Sequence, residues 1–158
     1  MAWGKAELAS PLPDYTSQST ALAAGESGTY NTNTILTTYT ATDYPAFNFA
    51  RNALTITVDN KTFESCLPNL KELDILYQDR TTLDTYDPTL GNYSTRSLSE
   101  FKLGSYGPWS STQYDRSSSW FITPAQGGII GYIGRSQNSG HGVCPIIEIP
   151  VDSNGTVL

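Results

Sequence analysis

Charged residues are scarce in this chain. They make up 15% of its 158 residues, and the formal net charge is −6, whereas charged residues are about a quarter of an ordinary soluble domain. Lys and Arg form no cluster anywhere in the sequence. Nucleic acids and anionic membrane surfaces are bound through clustered cations that neutralise phosphates. The composition therefore argues against both as partners.

Long hydrophobic runs are missing as well. The N-terminal residues contain no continuous apolar segment of the kind a signal peptide needs. No apolar run approaches the roughly 20 residues of a membrane-spanning helix. We therefore expect no signal peptide, no transmembrane segment and no membrane insertion. The expected product is made in a cytoplasm and either stays there or leaves as part of a larger particle.

Cysteine and histidine are nearly absent. The two cysteines, Cys66 and Cys144, are too few for a disulfide framework, and neither has metal-ligating residues nearby in the sequence. Two alternatives stay open for them, a pair of buried thiols or a single disulfide. The one histidine, His141, lies in a glycine-rich run without a nucleophile elbow or a third member of a catalytic triad. We predict no catalytic residue there.

Acidic residues suggest no metal or enzyme site either. Asp84, Asp87 and Asp115 could offer oxygen ligands to calcium if their loops converge, but the short motifs of calcium-dependent lectins are missing. Glu72, Asp74 and Asp79 are typical of the solvated face of a helix rather than of a carboxylate pair for glycoside cleavage. We expect no metal and no cofactor, with a glycan-active enzyme as the least favoured alternative.

Aromatic and hydroxyl-bearing residues are plentiful. The ten Tyr and three Trp occur with many Ser and Gly, a mixture that suits adaptable binding surfaces. The stretch from Trp109 to Trp120 reads W-S-S-T-Q-Y-D-R-S-S-S-W. Each Trp can anchor a strand in a core, and the residues between them carry hydrogen-bonding groups with little apolar surface. We expect a segment that is buried at its two ends and solvated in the middle.

The length fits one domain with a polar lead-in. Residues 1–28 contain two prolines and many Ser, Thr and Ala without an apolar period, which predicts an extended N-terminal arm. Trp3 in this arm belongs either to a flexible terminus or to a peptide that packs on a neighbouring subunit. Residues 29–158 are expected to form the domain.

Helices are predicted in the first half of the domain. Over residues 32–39 a helix and a strand are alternatives. Apolar spacing predicts a helix over residues 44–53, capped by Asp43. The clearest helix follows Asn69, which can form a capping box with Glu72.

Strands are predicted mainly in the second half. A short hairpin over residues 54–63 turns at Asp59-Asn60. Residues 80–107 are predicted to form a long irregular connection. Three later strands are predicted over residues 119–123, 129–133 and 143–151. Helices followed by an antiparallel sheet indicate an α+β domain.

Two motifs resemble a known family. Leu67-Pro68-Asn69-x-x-Glu72-Leu73, followed by Leu76-Tyr77-x-x-Arg80, is similar to the helix entry of the Lcl C-terminal-like domains. Trp109-Ser110-Ser111-Thr112-Gln113-Tyr114, followed by Trp120, is similar to their second signature. The resemblance covers about residues 30–150 and extends to the related fibrobacter major paralogous domains. It implies a C-type-lectin-like fold, with two helices packed on a small twisted antiparallel sheet with long loops.

The sequence departs from this family at its end. Val143-Cys144-Pro145 stands where the family usually has valine followed by arginine, so a role of that arginine cannot be transferred. Cys66 precedes Leu67-Pro68, where the family tends to have another residue type. If these two departures face each other in the fold that the resemblance implies, Cys66 and Cys144 are near neighbours, which favours the disulfide alternative.

Two polar loops form the candidate ligand-binding surface: the residues between Trp109 and Trp120, and the loop that follows the predicted strand 129–133. The alternative is that both loops are solvated and bind nothing. Strands on either side of the two loops would bring them to one side of the sheet, where they could contact a glycan or a protein. The candidate ligand-binding residues are Tyr114, Asp115, Arg116, Ser117, Ser118, Arg135, Gln137, Asn138 and His141.

Family members occur in phage tail and virion proteins and in bacterial surface proteins. The resemblance therefore implies a non-catalytic phage or prophage virion component, such as a tail fibre, tail tip or decoration protein, that binds a host-surface glycan or protein. We expect it to be homo-oligomeric and to contact other virion subunits through the arm. The alternative is a purely structural adaptor or decoration protein.

Overall fold

The computed structural model describes residues 1–79, 107–136 and 140–158, which form a mixed α+β architecture. Its helices are α1 (Gln18–Leu22), α2 (Gly28–Thr38), α3 (Pro45–Arg51) and α4 (Leu70–Gln78). Its strands are β1 (Thr55–Val58), β2 (Lys61–Glu64), β3 (Trp109–Asp115), β4 (Ser118–Thr123) and β5 (Ile129–Gly134). The predicted α+β class is confirmed. Within the described ranges, no helix combines the length and apolar character needed to cross a membrane.

The strands form two antiparallel sheets, the β1–β2 hairpin and a sheet in the order β3-β4-β5. The β4–β5 ladder is regular from Ser118↔Gly134 to Thr123↔Ile129. The β3–β4 ladder is interrupted by register shifts on both sides of Gln113. A bulge frees backbone groups from the ladder, so the first half of β3 has hydrogen-bonding groups to offer to other parts of the fold.

The capping and proline residues in the sequence predict where α4 and α3 begin. Asn69 Oδ1 accepts from the backbone N–H of Glu72 at 2.8 Å, and Glu72 Oε2 accepts from the backbone N–H of Asn69 at 2.7 Å. The capping box predicted for α4 is confirmed. α3 begins at Pro45, but the predicted cap Asp43 is wrong. The Asp43 carboxylate instead accepts hydrogen bonds from Thr40 and pairs with Lys5 at 2.7 Å, which turns it away from the helix.

For residues 32–39 the helical alternative is confirmed, within an α2 that begins earlier than predicted. Ser27 caps it, since its side chain accepts from the backbone N–H of Tyr30 at 3.2 Å. The hairpin turn is also confirmed: Asp59 and Asn60 have φ angles of 50° and 61°. Asp and Asn tolerate this left-handed region better than most residues, and it matches the twist of a two-residue hairpin.

The predicted strand over residues 143–151 is wrong. In this part of the chain only single bridges form, Cys66↔Ile146 and Val151↔Val157. Pro145 and Pro150 lie within the segment, and a proline has no N–H to donate to a ladder. The segment therefore crosses the domain as irregular chain tied at isolated points.

The N-terminal residues are part of the domain core, so the expectation of an extended arm is wrong for this structure. Trp3 is fully buried, and its indole N–H donates to the carbonyl of Ser110 at 2.6 Å. Leu12 is buried in the same core cluster. The backbone N–H of Trp3 donates to the carbonyl of Arg135 at 2.9 Å. Trp3 therefore docks on its own domain in this structure.

The main core is built on aromatic rings from separate segments. Trp3 meets Phe47 edge to face at a centroid distance of 4.9 Å and Tyr44 at 5.6 Å. Edge-to-face pairs add stabilisation beyond the apolar area that they bury. Trp109 belongs to the same cluster, and Trp120 is buried in a smaller cluster with Leu70. The expected burial of both tryptophans of the bracketed stretch is confirmed.

Replacing Trp3 tests whether the N-terminal segment belongs to the folding unit. Trp3→Ala should lower the free energy of unfolding by about 3–5 kcal/mol, because a large buried side chain leaves a cavity. Urea denaturation followed by fluorescence measures the change. Tyr30→Ala, at a side chain that is exposed on α2, is the control and should leave the midpoint nearly unchanged. Equal midpoints for Trp3→Ala and the wild type would contradict the docked arrangement.

Candidate functional site

The turn between β3 and β4 brings five of the predicted site residues together. Asp115 pairs with Ser118, so that Arg116 and Ser117 form the exposed end of the hairpin. The Asp115 carboxylate accepts from the N–H of Ser117 at 2.8 Å and from its hydroxyl at 2.9 Å. Partial burial opposes ionisation of Asp115, but hydrogen bonds from Ser117 and Ser118 outweigh it and lower its pKa. The hairpin end thus holds a fixed carboxylate beside an exposed guanidinium.

An aromatic pair lies directly behind this turn. The rings of Tyr114 and Tyr132 are stacked, with centroids 3.7 Å apart and planes 5° from parallel. Trp120 meets both rings edge to face, at 5.3 and 5.4 Å, and fixes the pair from the core side. A hydrogen bond to Tyr132 is the main cause that raises the pKa of Tyr114. Tyr132 is 51% exposed, so the pair presents aromatic surface to solvent.

Tyr132 was missed by reasoning from the sequence. It lies within a predicted strand and not in a polar loop, and its importance comes from pairing with Trp120 across the β4–β5 ladder. The sequence did contain a usable signal: two neighbouring predicted strands, 119–123 and 129–133, form an antiparallel hairpin, and such a hairpin places residues of both strands side by side. To identify Tyr132 as the partner of Trp120, the register between these two strands must be known. The sequence of the turn at residues 124–128 does not specify that register.

The middle of the bracketed stretch is not solvated as predicted. Ser110, Ser111, Thr112 and Gln113 are all buried, and exposure begins only at Tyr114. These side chains bind other parts of the chain instead of a ligand. The expectation of a solvated centre is correct only for residues 114–118.

Each buried polar residue of β3 meets a different segment. The Ser110 hydroxyl donates to the carbonyl of Trp120 at 2.9 Å, and Asn31 of α2 donates to the Ser111 hydroxyl at 3.0 Å. Thr112 accepts from the backbone N–H of Leu70, the first residue of α4, at 2.9 Å. Because an unpaired buried polar group is costly, these contacts fix the sheet against both helices.

Arg135 was predicted to contact a ligand, and this is wrong. Its side chain is fully buried, donates to Gln113 Oε1 at 3.0 Å and to the carbonyl of Leu8, and lies over the ring of Trp3 at 5.5 Å. Burial lowers its pKa, although the group remains charged at neutral pH. The backbone does lie next to the hairpin end, since the Arg135 N–H donates to the carbonyl of Ser117 at 2.9 Å. The side chain points inward, where it donates to carbonyl oxygens of the N-terminal segment.

His141 is also buried rather than exposed in a binding loop. Its ring packs on Trp109 at 4.3 Å and on Phe121 at 4.5 Å, and Nδ1 is 3.2 Å from the carbonyl oxygen of Gly107. Burial is the main cause that lowers its pKa. The prediction of a ligand contact is therefore wrong. The two remaining candidates, Gln137 and Asn138, lie outside the described residues.

The two cysteines are free thiols in the structure, so the disulfide alternative is not realised. Ile146, and not Cys144, stands opposite Cys66 in the bridge between the two segments. Burial raises the pKa of each thiol to about 12. A thiol that stays protonated is a poor nucleophile and a poor metal ligand.

Acidic side chains do not converge into a metal site among residues 1–79, 107–136 and 140–158, where no group of three or more His, Cys, Asp or Glu could hold an ion. Of the three aspartates considered for calcium, Asp84 and Asp87 lie outside these ranges. The Asp115 carboxylate accepts hydrogen bonds from the backbone N–H and the hydroxyl of Ser117.

Two glutamates meet where α2, α4 and the C-terminal segment join. Glu72 accepts from the backbone N–H groups of Asn69 at 2.7 Å and Gly28 at 3.2 Å, and it is hydrogen-bonded to Glu148. Burial, aided by Glu148, raises the pKa of Glu72 to about 7 against the hydrogen bonds from Asn69 and Gly28. Burial also opposes ionisation of Glu148, but hydrogen bonds led by the backbone N–H of Thr29 lower its pKa. A proton held by the pair therefore resides on Glu72.

This arrangement predicts a pH-dependent stability. The pKa of Glu72 is higher in the folded than in the unfolded state, so its contribution is complete below about pH 4.5 and is lost as the pH rises through about 7. Relative to Glu72→Gln, the wild type should lose about 1–2 kcal/mol of unfolding free energy between pH 5 and 8, after allowance for partial exposure. Urea denaturation of both proteins at each pH measures the difference.

The Gln side chain can accept both backbone N–H groups and donate to Glu148, which makes it a matched replacement. His141 titrates with the opposite sign, because its pKa is lowered, but it is common to both proteins and cancels in the difference. A constant difference from pH 5 to pH 8 would contradict the assignment of the proton to Glu72.

The hairpin end and its aromatic pair present several kinds of chemical group at the surface. They offer a flat ring face, a carboxylate, a guanidinium and hydroxyl groups within one short stretch of surface. Comparison of the chain with protein-family models, curated proteins and solved structures finds no match.

Proposed function

We propose that this chain is a non-catalytic binding module that attaches a phage or prophage virion to a glycan or protein of the host surface. The observation that carries the proposal is the exposed Tyr114–Tyr132 stack beside the Asp115–Ser118 turn. Tyrosine rings offer rigid amphipathic contact area at a small entropic cost, and neighbouring charged and hydroxyl groups provide directional hydrogen bonds. The proposed class is a tail fibre, tail tip or decoration protein.

The sequence motifs support the virion context. The helix entry at Leu67-Pro68-Asn69 and the signature beginning at Trp109 resemble domains found in phage tail and virion proteins. The C-type-lectin-like fold belongs to the same proposal, and the combination of helices with a small antiparallel sheet is compatible with it. Display of several copies would raise a weak affinity of each site through multivalency.

The rival function, a structural adaptor that docks through its N-terminal residues, has lost its main support. It depended on a free arm carrying Trp3, and Trp3 is buried in its own domain. Catalysis at His141 has equally little support, because that side chain is enclosed by Trp109 and Phe121. Binding at the hairpin end is the function that the exposed groups favour.

The binding surface is tested with a multivalent fluorescent form of the full chain on bacterial cells and on an array of bacterial surface glycans. Tyr132→Ala, alone and with Tyr114→Ala, should reduce binding at least about tenfold, as expected for a central aromatic contact. Phe49→Ala, which removes an exposed ring on α3, should leave binding unchanged. Thermal unfolding confirms that each variant is folded.

Two results would overturn the proposal. The wild type could bind no cell and no glycan of the panels. Alternatively, the folded Tyr114→Ala/Tyr132→Ala variant could bind as well as the wild type, which would remove the aromatic pair from the site.

A further inference from the structure

A concave surface lies away from the hairpin end, between the first turns of α2, strand β2 and the C-terminal segment. It consists of two contiguous cavities of about 470 and 370 Å³ that share Thr29, Asn33, Phe63 and Glu148. Cavities of this size suit small ligands. We refer to the two together as the α2–β2 groove.

The charges of the groove leave one carboxylate in excess. Arg51 lines it but pairs with Glu64 at 2.9 Å. The ion pairs formed in the described part of the chain are Lys5–Asp43 and Arg51–Glu64, so Glu148 has no cationic partner there. The positive end of the α2 dipole, equivalent to about half a charge, offsets this carboxylate only in part. The groove therefore favours a positively charged guest.

Hydrogen-bond acceptors converge on the same point. Glu148 Oε1 accepts from the backbone N–H of Thr29 at 2.9 Å, and the hydroxyls of Ser27 and Thr29 are hydrogen-bonded to this carboxylate. A hydroxyl can donate to the carboxylate or turn and accept from a guest. A primary ammonium group has three N–H donors, which match one carboxylate and two hydroxyls.

One wall of the larger cavity is apolar. Phe63, Ile149, Pro150 and the ring of Tyr30 line the larger cavity. Tyr30 is 56% exposed and Ile149 37% exposed, so a guest that covers them removes apolar surface from water. An aromatic ring or a branched alkyl group attached to the ammonium would lie against this wall.

We propose that the α2–β2 groove binds a small organic cation, with a primary ammonium group held by Glu148, Ser27 and Thr29 and an apolar group lying on Phe63, Ile149 and Pro150. This site is independent of the proposed attachment surface, which lies on the β3–β4 hairpin and recognises a different chemistry. Free amines and the amino ends of peptides share the recognised group, and the site takes the small amine.

Titration calorimetry of the full chain with phenethylamine hydrochloride at pH 7 and low salt tests the proposal. The expected Kd is about 1 mM, as befits a ligand of this size. The neutral isostere 2-phenylethanol should bind at least about tenfold more weakly. Glu148→Gln should weaken phenethylamine binding at least about tenfold, since Gln keeps an acceptor for Thr29 but loses the charge.

Glu7→Gln is the matched control, because it removes the same charge from an exposed residue outside the groove. It should leave the Kd within about twofold, since an exposed distant charge is screened by the solvent. Equal weakening by both variants, equal affinity for the alcohol, or no binding of phenethylamine would each overturn the proposal.

A further readout covers the case in which Glu148→Gln does not fold. In the wild type, phenethylamine should shift the NMR signals of Tyr30, Phe63 and Ile149 in a saturable manner, and Phe63→Ser should weaken the binding at least about fivefold. Saturable shifts confined to other residues would overturn the assignment to this groove.

Discussion

A buried run of polar residues in β3 is the constraint on which the fold depends. Ser110, Ser111, Thr112 and Gln113 lie inside the domain, and buried hydrogen-bonding groups are tolerated only when they have partners. Their partners come from segments that are far apart in the chain: the N-terminal residues, α2, the start of α4 and strand β4. The register shifts in β3 make these groups available. The strand is thus the internal junction of the domain, and only its last residues reach the surface.

Arg135 extends this junction to the N-terminus. Its guanidinium bonds to Gln113 and to the carbonyl of Leu8, and the ring of Trp3 packs beneath it. The positive charge is compensated by carbonyl oxygens and aromatic faces, which disperse it without a close carboxylate in the described ranges. As a result, the exposed groups of β3 are limited to the short end of the β3–β4 hairpin, where Tyr114 and Tyr132 stack against each other and against Trp120.

The parts of the fold that local chemistry decides were predictable. Asn69 and Glu72 specify a helix start through their own backbone, and Asp59-Asn60 specify a hairpin turn through their tolerance of positive φ. The burial of Trp3, Arg135 and residues 110–113 was not predictable, because it depends on partners more than 20 residues away along the chain. The same holds for the Tyr114–Tyr132 stack, which needs the register of three strands. The polar composition of residues 110–113 indicated a solvated segment. In the structure these polar groups are buried, and hydrogen bonds to distant parts of the chain satisfy them.

The most direct test of the buried junction is Thr112→Val, which preserves side-chain shape and removes the hydroxyl that accepts from the N–H of Leu70. The free energy of unfolding in urea should fall by about 1–3 kcal/mol, because a buried helix N–H is left without its partner. Thr57→Val, on the exposed face of β1, should change it by less than about 0.5 kcal/mol. Equal stability of Thr112→Val and the wild type would contradict the account that these buried hydroxyls hold the domain together.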